Sequence, residues 1–119
     1  MRYSMLGALI AVLFPVLAHA EGDAAAGEKA FAPCKACHAF DKNGVGPNLT
    51  GIVGRKAASV EGYTYSAALK GSGITWDEAN LHEWLKNPKA KVPGTKMVFA
   101  GYPEDKKIDD VIAYLASKK

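Results

Sequence analysis

Apolar and polar positions divide the chain into segments of different period. Met5 to Leu17 is an apolar stretch of 13 residues containing Pro15, preceded by Arg2 and followed by Ala18-His19-Ala20. It is shorter than the ~20 residues that span a bilayer, and it ends on small residues at the positions a signal peptidase reads. Residues 1–20 therefore read as an export signal cleaved after Ala20, and 21–119 as one small domain. Beyond it, Asp23 is placed to cap a helix through Ala24-Ala25-Ala26-Gly27-Glu28-Lys29-Ala30-Phe31, ending near Pro33.

From Phe40 to Val60 the chain is dense in Gly, Pro, Asn and Lys and keeps neither a helical nor a strand period, which predicts loop wrapped around something. A short helix is expected from Ser66 to Lys70. Thr75-Trp76-Asp77-Glu78 reads as a capping box with Thr75 as the cap. Leu81, Trp84 and Leu85 then share one helical face until Asn87-Pro88 stops the run. After Pro103, Glu104 and Asp105 suit a helix start, and Ile108, Val111, Ile112 and Leu115 recur at helical spacing. The expected architecture is all-α, four to five helices joined by long loops.

Composition narrows the partners. The 119 residues are 49% hydrophobic and 23% charged, with a net charge of +3, values that exclude a disordered chain and a multi-span membrane protein. Loss of residues 1–20 removes Arg2 and leaves 14 basic against 12 acidic residues, a net +2, with the signs interspersed. No Lys/Arg block appears, so nucleic acid is not the expected partner. The same loss leaves Met97 as the one methionine and His38 and His82 as the histidines.

Cys34-Lys35-Ala36-Cys37-His38 has the spacing of c-type haem attachment. Two thiols three positions apart can each add to one vinyl group of a haem, and the following imidazole then sits under the iron. Three other readings compete on the pentapeptide alone: a redox disulfide between Cys34 and Cys37, a zinc site using both cysteines and both histidines, and chance. A thioredoxin-like site calls for alternating strands and helices, and a zinc site leaves the long loops without a core.

A six-coordinate haem needs a second axial ligand, for which Met97 and His82 are the ordinary candidates. Met97 lies in Pro93-Gly94-Thr95-Lys96-Met97-Val98-Phe99, a loop that can present a thioether without breaking a helix. Lys96 and the Pro-Gly turn make it a poor core segment for a gap-filling methionine. His82 points about 100° away from Leu81 around its helix, toward the edge of the buried face, and is expected to be a bystander.

The motifs Cys34-Lys35-Ala36-Cys37-His38, Gly46-Pro47-Asn48-Leu49, Gly54-Arg55-Lys56, Gly62-Tyr63-Thr64-Tyr65, Gly73-Ile74-Thr75-Trp76, Asn87-Pro88, Pro93-Gly94-Thr95-Lys96-Met97 and Ile112-Ala113-Tyr114-Leu115 follow one another in an order that resembles the class I c-type cytochromes, that is, mitochondrial cytochrome c and its bacterial relatives. The resemblance covers essentially all of residues 21–119. It implies the cytochrome c fold around one haem c held covalently through Cys34 and Cys37, with His38 and Met97 on the iron. Pro47 would offer its carbonyl to the free nitrogen of His38. Arg55, Tyr65 and Trp76 would hold a buried propionate, with Tyr63 and Thr95 close by, and Phe99 would shield the haem edge. The last helix, through Val111, Tyr114 and Leu115, would cross the first near Ala26 and Gly27. The chain also departs from the mitochondrial pattern. Only eight residues separate His38 from Pro47, Trp84 stands beside the Met ligand where those proteins carry Tyr, Leu69 replaces an internal Asn, and Phe31 is displaced by one residue relative to Cys34.

An iron closed by His38 and Met97 has no open position, which suits one-electron exchange rather than substrate turnover. The resemblance implies a monomeric periplasmic carrier, without stable membrane insertion, between membrane-bound redox complexes. Its donor would be a cytochrome bc complex, and its acceptor a terminal oxidase or photosynthetic reaction centre. Lys35, Lys42, Lys56, Lys86, Lys89, Lys91 and Lys96 lie nearest in sequence to the expected haem edge and would form its docking face. Two alternatives come from other classes: a haem peroxidase, which would need the Met97 bond to open and a distal group such as His82, and a structural metal-binding or disulfide redox protein.

Overall fold

A computed structural model describes Gly7 and residues 22–119. The expected export signal, residues 1–20, otherwise lies outside the described residues. The described residues form five α-helices in order: α1 (Ala24–Ala30), α2 (Ala67–Lys70), α3 (Glu78–Lys86), α4 (Pro88–Lys91) and α5 (Asp105–Ala116). A 3-10 turn, Ala32–Ala36, comes between α1 and α2. Among the described residues extended pairing is limited to one antiparallel bridge, Lys56 to Thr75.

Asp23 caps α1, its carboxylate accepting from Ala25 N at 2.9 Å and Ala26 N at 3.4 Å. The helix ends one residue earlier than the sequence suggests, with Phe31 as its C-cap. Pro33 has no N–H to give and its ring would strike the carbonyl four residues back, so the chain tightens into the 3-10 turn that carries Cys34.

The cap of α3 is a correction. Asp77, not Thr75, is its N-cap, accepting from Asn80 N at 2.8 Å. Thr75 is held extended by the bridge to Lys56, flanked by Trp76 N to Arg55 O and Ala57 N to Ile74 O, both 2.8 Å. Trp76, which would be the first helical residue after a Thr75 cap, is committed to that pairing through its N–H to Arg55 O and its carbonyl, which accepts from Gly54 N at 2.7 Å, so the helix starts two residues later on the next residue able to cap. Asn87 ends α3 and its side chain starts α4, accepting from Ala90 N at 3.2 Å, with Pro88 in the tolerated first turn.

The core forms where α5 crosses α1. Ile108, Val111, Ile112 and Leu115 are all buried, as the periodicity requires, together with Tyr114. The crossing is close because residue 27 is glycine: a Cβ there would lie 1.9 Å from Asp110 O and 2.9 Å from Tyr114 Cβ. Asp110, itself buried, accepts from Asp23 N at 2.8 Å and from Lys106 Nζ, so the last helix also caps the first. Phe31 is 2% exposed and sits at this crossing, its ring 5.3 Å from Tyr114 and 5.6 Å from Phe40. Lys118 lies over the Phe40 and Tyr114 rings, and its carbonyl accepts from Gly51 N at 2.7 Å, which pins the long loop to the end of the chain.

Candidate functional site

The loops from 39 to 66 and from 92 to 102, the 3-10 turn, α3 and α5 enclose a cavity of about 380 Å³ with a predominantly apolar lining, within the range of cofactor sites. All twelve residues singled out from the sequence line it: Cys34, Cys37, His38, Pro47, Arg55, Tyr63, Tyr65, Trp76, Trp84, Thr95, Met97 and Phe99. His82 does not. It stands between α3 and α5, with Nε2 3.6 Å from Asp105 and 3.8 Å from Asp109.

The attachment segment is a tight turn. Cys34 O accepts from Cys37 N at 3.1 Å and from His38 N at 2.8 Å, which gathers both thiols and the imidazole on one wall. Both thiols are free, Cys34 buried and Cys37 exposed. Burial pushes the Cys34 thiol up, partly offset by Tyr102, whose hydroxyl lies 3.7 Å from Sγ. The Tyr102 phenol is itself raised well above its ordinary value, chiefly by burial, and stays a donor, to Ala30 O at 2.5 Å.

His38 is oriented from two sides. Its Nδ1 lies 3.0 Å from Pro47 O, which makes Nδ1 the protonated nitrogen and leaves the Nε2 lone pair for a ligand. Burial lowers its pKa, opposed by the Pro47 bond, which favours the neutral ring. Gly46 packs flat against it: a Cβ on residue 46 would come within 2.4 Å of Cε1 and 2.7 Å of Nδ1.

Arg55 is half-buried, with Nη1 donating to Thr50 O at 3.0 Å and Nη2 to Asn48 O at 2.9 Å. Burial lowers its pKa, with Tyr65 opposing. Among the described residues no carboxylate pairs with it, so a cavity-lining cation is satisfied on neutral carbonyls alone. Tyr65 Oη accepts from Val60 N at 3.1 Å, Tyr63 Oη donates to Val45 O at 2.7 Å, and the two rings meet edge-on at 4.8 Å. Trp76 and Trp84 pack at 5.2 Å across the cavity wall.

The Met97 loop leaves a turn closed by Thr95 N to Val92 O at 3.1 Å, where Gly94 takes φ of 90°. Met97 N donates to Thr95 Oγ1 at 3.2 Å, Lys96 Nζ donates to Thr64 O at 3.0 Å, and Phe99 lies edge-on to Tyr102 at 5.0 Å.

These residues fit a haem c. Two free thiols and a neutral imidazole share one wall, a thioether lines the same apolar cavity, and an arginine without a carboxylate partner lines it where an anionic propionate would be received. A zinc site is not assembled: among the described residues no three His, Cys, Asp or Glu side chains form a metal-binding group, and His82 lies away from the cavity.

Sequence reasoning missed Gly46 and Tyr102. Gly46 stands in a recognised motif, but only its distance to His38 shows why it is glycine. Tyr102 carries no local signal. The lysines are also sorted by the structure. Lys86 pairs with Asp105 at 3.0 Å, and Lys91 is held by Glu83 and by Asn80 Oδ1, so these two charges are engaged within the protein. Lys35, Lys42, Lys56 and Lys89 are exposed.

A small all-helical domain that wraps such a cavity defines a haem-binding class of protein. The cytochrome c family model matches residues 24–119, and the chain belongs to the cytochrome c family, whose members are electron carriers rather than enzymes and bind haem c covalently. Cytochrome c-554 of Methylosinus trichosporium is 55% identical over 119 residues, spanning 95% of this chain and 90% of that protein. Cytochrome c of Tetrahymena pyriformis is 54% identical over 99 residues, spanning 82% and 90%. The solved structure of cytochrome cH from Methylobacterium extorquens shares the fold at a TM-score of 0.80 and 67% identity, covering 82% of this chain and 100% of that one. No helix among the described residues is long and apolar enough to cross a membrane.

Proposed function

We propose that the chain carries single electrons between membrane-bound redox complexes outside the cytoplasmic membrane, using a haem held by Cys34 and Cys37 and ligated by His38 and Met97. The observation that carries this reading is the convergence of two thiols, an oriented imidazole and a thioether on one apolar cavity. When bound, haem c supplies a ferric–ferrous couple for one-electron exchange.

The protein's own groups set the conditions for that exchange. Pro47 O holds Nδ1–H of His38 and strengthens Nε2 as a donor. Met97 brings a neutral sulfur, and the apolar lining disfavours additional positive charge, so both favour the reduced state. Arg55 would receive a propionate, with Tyr63, Tyr65, Trp76 and Thr95 around it, while Trp84 and Phe99 close the cavity on the Met97 side.

The donor is a cytochrome bc complex, and the acceptor a terminal oxidase or photosynthetic reaction centre. The apolar stretch in residues 1–20 supports export to the periplasm. Docking uses the exposed Lys35, Lys42, Lys56 and Lys89, with Lys96 at the cavity rim and Lys86 and Lys91 contributing less because their charges are already paired. The peroxidase alternative would recruit His82, which lies outside the cavity against two carboxylates.

The test is stopped-flow oxidation and reduction of the holoprotein by membranes containing the partner complexes. The second-order rate should fall steeply as salt shortens the screening length from ~30 to ~8 Å. Lys35→Glu, between the two cysteines, should slow it more than Lys107→Glu on α5. A flat salt dependence, or equal effects at the two lysines, refutes the docking face.

A further inference from the structure

Tyr102 joins parts of the molecule that the function treats separately. It is 7% exposed and its hydroxyl donates to Ala30 O at 2.5 Å, satisfying one of the last carbonyls of α1 that the helix leaves unpaired. The same oxygen lies 3.7 Å from Cys34 Sγ. Its backbone N–H donates to Leu85 O on α3 at 2.8 Å, and its ring packs edge-on against Phe99, two residues after Met97. Gly101, at φ of 103°, is pressed so closely to α3 that a Cβ would lie 2.0 Å from Lys86 O. The chain is thus fastened at residues 101–102, whereas among the described residues no backbone N–H from Val98 to Gly101 donates a hydrogen bond. Val98 is 96% exposed.

We propose that Tyr102 is a positioning residue: its hydroxyl, bonded to the end of α1 beside Cys34, sets how readily the Met97 segment swings away from the haem. The inference rests on the reading of Met97 as the sixth ligand. Tyr102 is the C-terminal anchor of that segment, as Thr95 and Lys96 are its N-terminal anchor. Swinging Met97 out pulls on Phe99 and hence on the Tyr102 ring. In the wild type that motion strains the half-buried bond to Ala30 O; without the hydroxyl the carbonyl is unpaired whether the segment is in or out, so the motion no longer carries that cost.

The experiment is titration of the ferric holoprotein with free imidazole, which competes with Met97 for the iron and is read in the visible spectrum. Tyr102→Phe keeps the ring and loses the one bond, and should bind imidazole about two- to tenfold more tightly than wild type, the factor expected from one net hydrogen bond. Ser117→Ala removes the comparable bond from Ser117 Oγ to Tyr114 O at 2.5 Å, at the far end of α5. It should lower thermal stability while leaving imidazole affinity at the wild-type value. Unchanged affinity in Tyr102→Phe, or an equal rise in Ser117→Ala, overturns the proposal. Met97→Ala should bind imidazole far more tightly than either. If it binds no better than wild type, the Met97 assignment fails and the proposal with it, an outcome distinct from failure at Tyr102 alone. Should Tyr102→Phe not load haem, hydrogen exchange on the wild-type holoprotein decides: the Tyr102 amide should outlast those of Val98 and Phe99, and equal rates overturn the anchor.

Discussion

Replacing Gly46 by alanine tests whether the attachment wall is built as tightly as its geometry indicates. The new Cβ would lie 2.4 Å from Cε1, 2.7 Å from Nδ1 and 2.8 Å from Nε2 of His38, where ordinary contact begins near 3.4 Å. Either the ring or the loop backbone must retreat by about 1 Å. That is more than the slack in a 3.0 Å bond to Pro47 O, so the substitution combines overpacking with loss of the bond that orients the imidazole. Overpacking costs about 1–3 kcal/mol and a net hydrogen bond about 1, giving roughly 2–4 kcal/mol in all. For a domain of this size that is a fall in Tm of roughly 10–25 °C. Gly44→Ala is the comparison, because in the same loop its Cβ would meet only Cys37 O, at 3.6 Å, and its backbone is not left-handed. It should stay within about 1 kcal/mol of wild type. Thermal unfolding of the holoproteins, followed with the low-spin visible spectrum, reads both effects. A Gly46→Ala protein with wild-type Tm and an unaltered spectrum would show that the loop yields freely and that the contact with His38 orients nothing.

The other predictions use simpler readouts. Met97→Ala should keep its haem under denaturant yet bind small ligands at a vacated position and fall in potential, whereas His82→Ala should leave spectrum and potential unchanged; loss of the low-spin spectrum in His82→Ala would reverse the assignment. Gly27→Ala gains about 1 kcal/mol of helix propensity but drives a Cβ into Asp110 O. It should be destabilised overall by about 2 kcal/mol in urea unfolding, and a more stable variant would mean the helices can slide apart. The Asp110 carboxyl is held below its ordinary range, first by the Asp23 amide and then by Lys106, so the stability it contributes is present above the unfolded carboxylate pKa near 4 and lost as pH falls through the lower folded value. The stability gap between wild type and Asp110→Asn should accordingly narrow on acidification from pH 7 toward 2, and a constant gap would remove Asp110 from the acid response. Cys34→Ala with Cys37→Ala should yield little folded holoprotein, since so small a core is completed by the cofactor; haem that extracts freely from wild type into acidified organic solvent would contradict thioether attachment.

Much of this protein was legible in its residues because the chemistry is local. The thiols and imidazole of Cys34-Lys35-Ala36-Cys37-His38 are neighbours in the chain, so one turn brings them together whatever surrounds it. The face formed by Ile108, Val111, Ile112 and Leu115 follows from the helical period alone, and all four residues are buried. Capping chemistry was legible in kind but not always in position. Asp23 caps where expected; the short helix expected from Ser66 begins instead at Ala67 with Ser66 as its cap, and α3 starts on Asp77 because the strand-like pairing of Lys56 with Thr75, a partner no local pattern announces, holds the chain before it. What only the tertiary structure decided shares that cause. Asp110 caps a helix 87 residues away, Tyr102 bonds to a carbonyl 72 residues away, Gly46 is glycine because an imidazole lies against it, and Lys86 and Lys91 are engaged by Asp105 and Glu83. Each depends on two segments meeting at a distance below 4 Å; for Asp110, Tyr102 and Lys86 that distance is set by how α1, α3 and α5 and the segment between α4 and α5 pack, and for Gly46 and Lys91 by how the chain folds back on itself after His38 and after α3.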